Sequence, residues 1–100
     1  MWIESTHYYA RPGHSQAVLE MRRRATAVRL MLGLAPGEIR IKVEGGGPDV
    51  SWECRFASAK DFADDMASRA VSDEFVQIRK SMHELLEKFE RHVQQIVPDH

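Results

Sequence analysis

Histidine is the side chain of this sequence best suited to acid–base chemistry, because its ordinary pKa of about 6.5 lies close to neutral pH. The five histidines are His7, His14, His83, His92 and His100. His7 stands between Thr6 and Tyr8 in a segment of strand-forming residues, and we predict it as the catalytic residue if the protein performs chemistry. The alternative for a histidine within a strand is a purely structural, hydrogen-bonding role. We expect His14 and His100 to be exposed to solvent.

The spacing of the potential metal ligands predicts neither a metal site nor a reactive thiol. No two histidines are four residues apart, and the single cysteine, Cys54, has no second cysteine with which to bind a metal. We therefore expect no metal and no cofactor. Cys54 belongs to the apolar face of a predicted strand, where a thiol stays neutral and inert. A lone cysteine also precludes an internal disulfide bond and is typical of a reducing cytoplasm, which is the location we expect.

Trp52 is the largest side chain on the apolar face of a predicted strand, and most such residues belong to the hydrophobic core. A cavity between the sheet and the helices would have Trp52 in its wall, where the indole ring can contact an aromatic ligand. The other residues expected to contact such a ligand are Tyr9, Phe56, Met21, Met82 and His83. His83 flanks the apolar stripe of the last predicted helix, and an exposed position is the alternative for it.

The strongest basic cluster is Arg22-Arg23-Arg24, with Arg29 close behind it in the sequence. Three consecutive residues of a helix fan over about 200°, so these side chains cannot all face one ligand. A solvated helix surface is therefore the expected role, and anion binding is the alternative. The glycines at positions 45–47 join two strands rather than a strand and a helix, which excludes a phosphate-binding loop.

Composition limits the chain to one domain, residues 1–100, and excludes several classes of partner. Apolar residues make up 43% and charged residues 29%, which is ordinary for a globular protein. The formal net charge of -1 gives no general attraction to nucleic acid or to an acidic membrane surface. No apolar run approaches the roughly 20 residues that span a bilayer, and the first residues lack the pattern of a secretory signal.

The elements that would position these residues begin with a strand and a helix. Residues 2–10 favour a strand, although neither of its faces is purely apolar, and Arg11-Pro12-Gly13 ends it. A helix is predicted from His14 or Ser15 to Leu32. Its apolar stripe consists of Ala17, Val18, Met21, Ala25, Val28 and Leu32.

Two strands with clean two-residue alternation follow, and they predict a half-buried antiparallel hairpin. The strands are Glu38–Glu44 and Asp49–Phe56, and the turn is Gly45-Gly46-Gly47-Pro48. The apolar faces carry Ile39, Ile41, Val43, Val50, Trp52, Cys54 and Phe56. The opposite faces carry Arg40, Lys42, Glu44, Ser51, Glu53 and Arg55. A sheet face with charges of both signs favours contact with a second copy of the chain.

The last part of the chain carries two helix-start signals, Ser58 and Ser72, each followed by acidic residues in the first turn. One long apolar stripe follows the second signal, at Phe75, Ile78, Met82, Leu85, Leu86 and Phe89. The segment His92–Val97 is either a short edge strand or the end of this helix. The order β-α-β-β-α-(β) predicts an α+β fold of the ferredoxin-like split β-α-β type, a four-stranded antiparallel sheet with two helices on one face.

Three segments carry a resemblance to a known superfamily. They are the aromatic first strand ending in Tyr9-Ala10-Arg11-Pro12-Gly13, the run Asp49-Val50-Ser51-Trp52-Glu53, and Phe56-Ala57-Ser58 followed by Asp61-Phe62. In this pattern the chain resembles the dimeric α+β barrel superfamily, which includes antibiotic-biosynthesis-type monooxygenases and NIPSNAP-like proteins. The resemblance implies a ferredoxin-like monomer that pairs sheet to sheet with a second copy into a barrel. For members that are enzymes, it implies a cavity that holds a small aromatic or haem-like ligand.

Haem degradation is not expected, because most of the residues that perform it in the superfamily are missing. The resemblance implies an asparagine on the first strand, a tryptophan on the third and a histidine on the following helix. Trp52 matches the tryptophan, but the chain contains no asparagine, and the first histidine after Trp52 is His83.

Two functions remain open at the level of the sequence. The first is a cofactor-independent monooxygenase-like enzyme that acts on a small aromatic substrate, with Trp52, His7 and a tyrosine hydroxyl orienting the substrate. The second is a non-catalytic homodimer that binds a small ligand or is associated with stress. An open cavity with polar atoms pointing inward would favour the first. For both we expect a homodimer formed by sheet-to-sheet packing, and no nucleic-acid or membrane partner.

Overall fold

The computed structural model describes residues 1–98, so the predicted exposure of His100 lies outside the described residues. The elements in chain order are β1 Trp2–Ala10, α1 Ser15–Met31, β2 Glu38–Ile41, β3 Val50–Phe56, α2 Ala59–Ala70, α3 Asp73–Glu84 and β4 Leu86–Gln95. The strands form one antiparallel sheet in the order β2-β3-β1-β4. The predicted α+β class and four-stranded antiparallel sheet are confirmed. No helix within the described range is long and apolar enough to cross a membrane.

Strand alternation gives the sheet two different sides. Val50, Trp52 and Cys54 of β3 point toward the helices and are almost fully buried. Because Trp52 pairs with Thr6 of β1, the even-numbered residues of β1 share this side, which we call the helix-facing side. The odd-numbered residues of β1 point the other way, to what we call the open side. In β1 the open side carries Ile3, Ser5, His7 and Tyr9.

Both helix starts predicted in the second half of the chain are confirmed. The Ser58 hydroxyl oxygen accepts a hydrogen bond from the Asp61 amide at 3.1 Å, and the Ser72 oxygen accepts one from the Phe75 amide at 3.2 Å. Each bond satisfies an amide that the first turn of a helix leaves without a partner. The second start separates α2 from α3, so the described chain has three helices rather than the two predicted.

The hairpin is shorter, and its connection longer, than the sequence predicts. β2 ends at Ile41 rather than at Glu44, and β3 begins one residue later than predicted. Pro48 has no amide hydrogen with which to extend the pairing. One further bond joins the strands past Ile41, from the Lys42 amide to the Asp49 carbonyl oxygen at 3.0 Å, whereas the Asp49 amide donates to the carbonyl oxygen of Tyr8 in β1. The pairing between the two strands therefore stops early, and a wide loop replaces the predicted tight turn.

The C-terminal apolar stripe belongs to two elements rather than to one helix. α3 ends at Glu84, and a strand of 10 residues, β4, pairs with β1 along nearly all of its length. Leu86 and Phe89, predicted on the helix, lie in this strand, which ends at Gln95 rather than at Val97. Pairing with β4 satisfies the backbone groups along the free edge of β1, and this outweighs the local helical periodicity. The strand alternative for the end of the chain is confirmed, over a longer range.

The core lies between the helix-facing side of the sheet and the helices. One buried cluster packs β3 against α1 and α3, and its members include Val50, Trp52, Cys54, Phe56, Val18 and Met82. A second, smaller cluster holds α1 against α3 through Ala25, Val28, Phe75 and Ile78. Met21 packs against both clusters and joins them.

Candidate functional site

A cavity of about 510 Å³ lies between the helix-facing side of the sheet and the helices α1, α2 and α3. This volume falls within the range of small-molecule sites, roughly 300–1,000 Å³. The apolar part of its wall includes Trp52, Phe75, Ile78, Met82 and Phe89. Aromatic and sulfur-containing side chains of this kind make favourable contacts with a planar aromatic ligand.

Trp52 is held in a fixed position in the wall of the cavity. Only 1% of its surface is exposed, and its indole Nε1 donates a hydrogen bond to the Pro36 carbonyl oxygen at 2.9 Å. Gly37 lets the loop pass this close, since a Cβ atom there would lie 2.5 Å from Nε1. The guanidinium carbons of Arg22 and Arg29 lie 4.6 and 4.9 Å from the Trp52 ring centroid. The ring is therefore packed against two cations as well as bonded at its edge.

Arg29 and Asp65 form a buried ion pair next to Trp52. The Arg29 side chain is fully buried, and its Nη1 and Nη2 atoms donate to the two Asp65 oxygens at 3.0 and 2.7 Å. Arg29 Nε donates to the Ala35 carbonyl oxygen at 2.7 Å. Every nitrogen of this guanidinium has an acceptor, and a carboxylate balances its charge. Arg29 is therefore satisfied by the protein itself.

Glu4, on the helix-facing side of β1, is 2% exposed and is shared by two arginines. Arg69 Nη1 donates to Glu4 Oε2 at 3.2 Å, and Arg91 Nε donates to the same oxygen at 2.9 Å. Arg69 Nε also lies 3.1 Å from Asp65 Oδ1, within ion-pair distance but without the alignment of a hydrogen bond. Both buried carboxylates are thus engaged by arginines other than Arg22.

Arg22 is a buried arginine whose positive charge is not paired with either of these carboxylates. It lines the cavity, is 5% exposed, and donates one hydrogen bond, from Nη1 to the Tyr8 hydroxyl oxygen at 3.2 Å. Its Nε and Nη2 atoms are buried and have no hydrogen-bond partner among the described residues. Burial lowers the pKa of Arg22, and the charges of Arg29 and Arg69 act in the same direction, while Tyr8 opposes them. A buried guanidinium with open donors is energetically costly and needs an explanation.

Positive charge dominates the wall of the cavity. The arginines that line it are Arg22, Arg69, Arg79 and Arg91. Among the described lining residues, Glu4 is the one carboxylate. The cavity can therefore attract and hold a negatively charged group beside its aromatic rings.

The structure brings three of the residues predicted from the sequence together in this cavity: Trp52, Met82 and His83. His83 is exposed at the rim, where its ring stacks on Phe89 with 5.0 Å between ring centroids. Phe56 is buried in another part of the core, with its ring against Phe62 at a centroid distance of 5.3 Å. Ligand binding by the three lining residues stays a prediction.

His7 and Tyr9 do not line the cavity, because they lie on the open side of the sheet. The expectation that His7, Tyr9 and Trp52 contact one ligand is therefore wrong, since Tyr8 rather than Tyr9 shares the side of Trp52. The Tyr9 hydroxyl instead donates to Glu90 at 2.8 Å, which raises the pKa of Tyr9 and lowers that of Glu90. A catalytic role of His7 on the open side stays a prediction.

His7, Glu90 and His92 form a separate cluster of possible ligands on the open side. One nitrogen or carboxylate oxygen from each lies within 4.8 Å of those of the other two. The imidazole rings of His7 and His92 are 5.5 Å apart between centroids. Two imidazoles and a carboxylate are a ligand set that suits transition metals, so these residues could hold a divalent cation. Spacing along the sequence does not reveal this set, because pairing of β1 with β4 brings it together.

Cys54 is buried on the helix-facing side, as the sequence predicts. Burial raises the pKa of its thiol, although the nearby Arg29 guanidinium, 3.7 Å from the sulfur, acts in the opposite direction. A thiol with a raised pKa stays protonated near neutral pH and is a poor nucleophile.

Sequence reasoning missed Glu4, Tyr8 and Arg22 as site residues, although each has a signal in the pattern. Glu4 and Tyr8 lie two positions on either side of the residue that pairs with Trp52, so strand alternation places them on the helix-facing side. Arg22 is four residues after Val18 of the apolar stripe, so the helical period places it on the buried face of α1.

No family model matches the chain, and no curated protein matches it with significance. Among solved structures, it is similar to an uncharacterised NIPSNAP domain protein from Burkholderia xenovorans, with a TM-score of 0.75, 14% identity, and coverage of 99% of this chain and 100% of that one. It is similar to an antibiotic biosynthesis monooxygenase, with a TM-score of 0.73, 11% identity, and coverage of 98% and 100%. A dimeric protein of unknown function and ferredoxin-like fold from Bacteroides fragilis matches with a TM-score of 0.71, 15% identity, and coverage of 95% of each chain. The chain thus has the ferredoxin-like fold of these NIPSNAP and monooxygenase structures, as its resemblance to the dimeric α+β barrel superfamily predicts.

Proposed function

We propose that the protein binds a small aromatic molecule in the cavity between the sheet and the helices. The observation that carries this proposal is the open volume of about 510 Å³ beside the buried Trp52 ring. Protein cores are normally close-packed, and a space lined by charged groups is occupied by water or by a ligand. Phe75 and Met82 extend the apolar wall, which gives a surface suited to a flat ring.

A monooxygenase-like reaction without a cofactor is the activity we infer for this site, with the aromatic substrate supplying electrons to oxygen. It is supported by the polar groups in the wall of the open cavity and by one structure of the same fold that is named as an antibiotic biosynthesis monooxygenase. Arg22 donates to the Tyr8 oxygen, which leaves the Tyr8 proton free to bond a substrate oxygen. This pair would stabilise the negative charge of a phenolic substrate whose proton is released to water. Non-catalytic binding of the same ligand is the alternative.

We also propose that the protein is a homodimer in which the open sides of two sheets meet. The molecule is 18 Å thick in its shortest dimension, which is the thickness of one sheet and one layer of helices. The open side carries charges of both signs, such as Glu53 and Arg55, which suits a self-complementary contact. One structure of this fold is described as dimeric. The cytoplasmic location expected from the single cysteine stays a prediction.

The fluorescence of Trp52 provides a direct test of ligand binding. The chain has two tryptophans, so Trp2→Phe leaves Trp52 as the single fluorescent indole. Titration of this variant with a dihydroxynaphthalene is expected to quench the fluorescence saturably. Adding Ala70→Phe, which places a ring in the cavity wall from α2, is expected to abolish the quenching. Ala67→Phe, an exposed position of α2 outside that wall, is the matched control and should leave it unchanged. Quenching that never saturates would contradict the proposal.

Oxygen uptake then separates an enzyme from a binding protein. With the wild type and a dihydroxynaphthalene, we expect an oxygen electrode to record consumption well above autoxidation. Tyr8→Phe is expected to lower the rate about a hundredfold while the aromatic body still binds, because it removes the proton donor to the substrate oxygen. Saturable binding without oxygen uptake would support the non-catalytic alternative.

A further inference from the structure

We propose that the ligand of this cavity is a carboxylate on an aromatic body, and that Arg22 binds the carboxylate. This inference rests on the proposed binding function and adds the chemical class of the ligand. Arg22 is 5% exposed, yet its Nε and Nη2 atoms have no hydrogen-bond partner among the described residues. Buried charges in proteins are almost always paired, so an acceptor that the protein does not supply is expected to arrive with the ligand.

The surroundings of Arg22 leave one edge of its guanidinium group without a hydrogen-bond partner among the described residues. The group packs over the Trp52 ring, with 4.6 Å between its carbon and the ring centroid. Nη1 is used by the hydrogen bond to the Tyr8 hydroxyl oxygen. The two nitrogens that remain, Nε and Nη2, are buried and share one edge of the planar group, where their N–H bonds are parallel. Two parallel donors match the two oxygens of one carboxylate.

The carboxylates of the protein cannot fill this role, because both that lie nearby are engaged. Asp65 accepts hydrogen bonds from Arg29 through both of its oxygens. Glu4 accepts hydrogen bonds from Arg69 and Arg91 through Oε2. Its Oε1 has no hydrogen-bond partner among the described residues but lies 3.1 Å from Arg69 Nη2, within ion-pair distance. A neutral ligand oxygen would satisfy an open donor of the cavity but would leave the buried positive charge without a counter-ion. An anion satisfies both the donors and the charge.

The remainder of the ligand follows from the apolar wall around Arg22. Trp52, Phe75 and Met82 line the same cavity, so a carboxylate seated on Arg22 has its attached body among apolar side chains. A phosphate would carry further oxygens and a further charge, while the donors of Arg69 and Arg91 are already directed at Glu4 and Arg79 is exposed to solvent. A flat aromatic acid therefore fits the cavity better than a phosphate ester does.

The test uses three naphthalenes that differ in one substituent: naphthoate, naphthamide and naphthyl phosphate. Isothermal titration calorimetry at one fixed salt concentration is expected to show naphthoate binding to the wild type at least about tenfold more tightly than naphthamide. Arg22→Met is expected to remove this preference, so that naphthoate binds no more tightly than naphthamide. Arg23→Met is the matched control, because Arg23 is on the same helix with 61% of its side chain exposed, and it should leave both affinities unchanged.

Two further measurements keep the outcome decisive. Arg22→Met removes an unpaired buried charge, so its melting temperature is expected to equal or exceed that of the wild type. If that variant does not fold, Arg22→Lys keeps the charge without the paired N–H edge and is expected to lose most of the preference for naphthoate. Equal wild-type affinity for naphthoate and naphthamide, or tighter binding of the phosphate, would overturn the carboxylate inference while aromatic binding stood. Failure of all three compounds to bind would contradict the proposed function itself.

Discussion

Asp65 shows how one residue can hold a buried network together. It binds both ends of the Arg29 guanidinium and lies within ion-pair distance of Arg69. All three residues are less than a tenth exposed, so water does not compensate for a missing partner. Removing one member of such a network leaves an uncompensated buried charge, which costs far more than the pair contributes when it is complete.

Replacing this carboxylate is therefore expected to be strongly destabilising. We predict that Asp65→Asn lowers the free energy of unfolding by about 3–5 kcal/mol, measured by urea denaturation followed by circular dichroism. Asp64→Asn is the matched control, because Asp64 pairs with Lys60 where both side chains are more than half exposed. The control should change the free energy of unfolding by less than about 1 kcal/mol. Similar losses for the two variants would contradict a buried network that depends on Asp65.

The sequence predicts the position of Trp52 but not that of the arginines packed against it. Alternation in β3 is enough to place Trp52 on the buried side. The solvated helix surface expected for Arg22 and Arg29 is wrong, because both are buried on α1. An arginine at an apolar stripe position conflicts with the local pattern, and such conflicts are common at functional sites. The bond between Arg69 and Glu4 joins residues 65 positions apart, so only the tertiary fold determines it.

At the scale of elements, the connection between α1 and β2 fixes one wall of the cavity. Gly37 in this connection has a φ of 70°, and a Cβ atom there would lie 2.5 Å from Trp52 Nε1 and 2.7 Å from the Glu53 carbonyl oxygen. Gly33 in the same connection has a φ of 76°, but a Cβ atom there would meet nothing within 4 Å. The two glycines therefore share the backbone conformation and differ in the space around them.

This difference gives a test of how the loop holds Trp52. Gly33→Ala is expected to lower the free energy of unfolding by about 1–2 kcal/mol, the cost of a left-handed backbone for alanine. Gly37→Ala is expected to cost about 1–3 kcal/mol more, because the new methyl group overlaps the indole and the backbone. Thermal denaturation and the Trp52 emission maximum measure the two effects, with a red shift expected for Gly37→Ala alone. Equal stability of the two variants would show that the loop moves freely.

Elements whose ends depend on local chemistry are the ones that the sequence predicts well. Ser58 and Ser72 cap α2 and α3 as their side chains indicate, because a hydroxyl bonded to an amide three residues on is a local interaction. The end of α3 is different, since Leu86 and Phe89 fit a helical stripe but belong to β4. The end of α3 is determined by the pairing of β4 with the free edge of β1, a long-range interaction that no local sequence pattern contains.

At the scale of the whole molecule, the sheet separates two surfaces with different chemistry. The helix-facing side holds the cavity, with its excess of arginines and its aromatic wall. The open side holds His7, Glu90 and His92 together with charges of both signs. In the proposed dimer the open side is buried and the cavity stays accessible between the helices. Association and ligand binding can then be disturbed separately by mutation.

The dimer is the prediction that belongs to this scale. Light scattering at micromolar concentration is expected to give twice the mass of the chain. Arg55→Glu is expected to shift the protein toward monomer, because it places a second acidic group beside Glu53 on the open side, where like charges would meet across the interface. Arg24→Glu makes the same change in net charge on the exposed surface of α1 and should leave the mass unchanged. A wild-type monomer would contradict the dimer. An equal fall in mass for Arg55→Glu and Arg24→Glu would attribute association to overall charge. A fall in mass for Arg55→Glu alone, with ligand affinity retained, would assign association to the open side and ligand binding to the cavity.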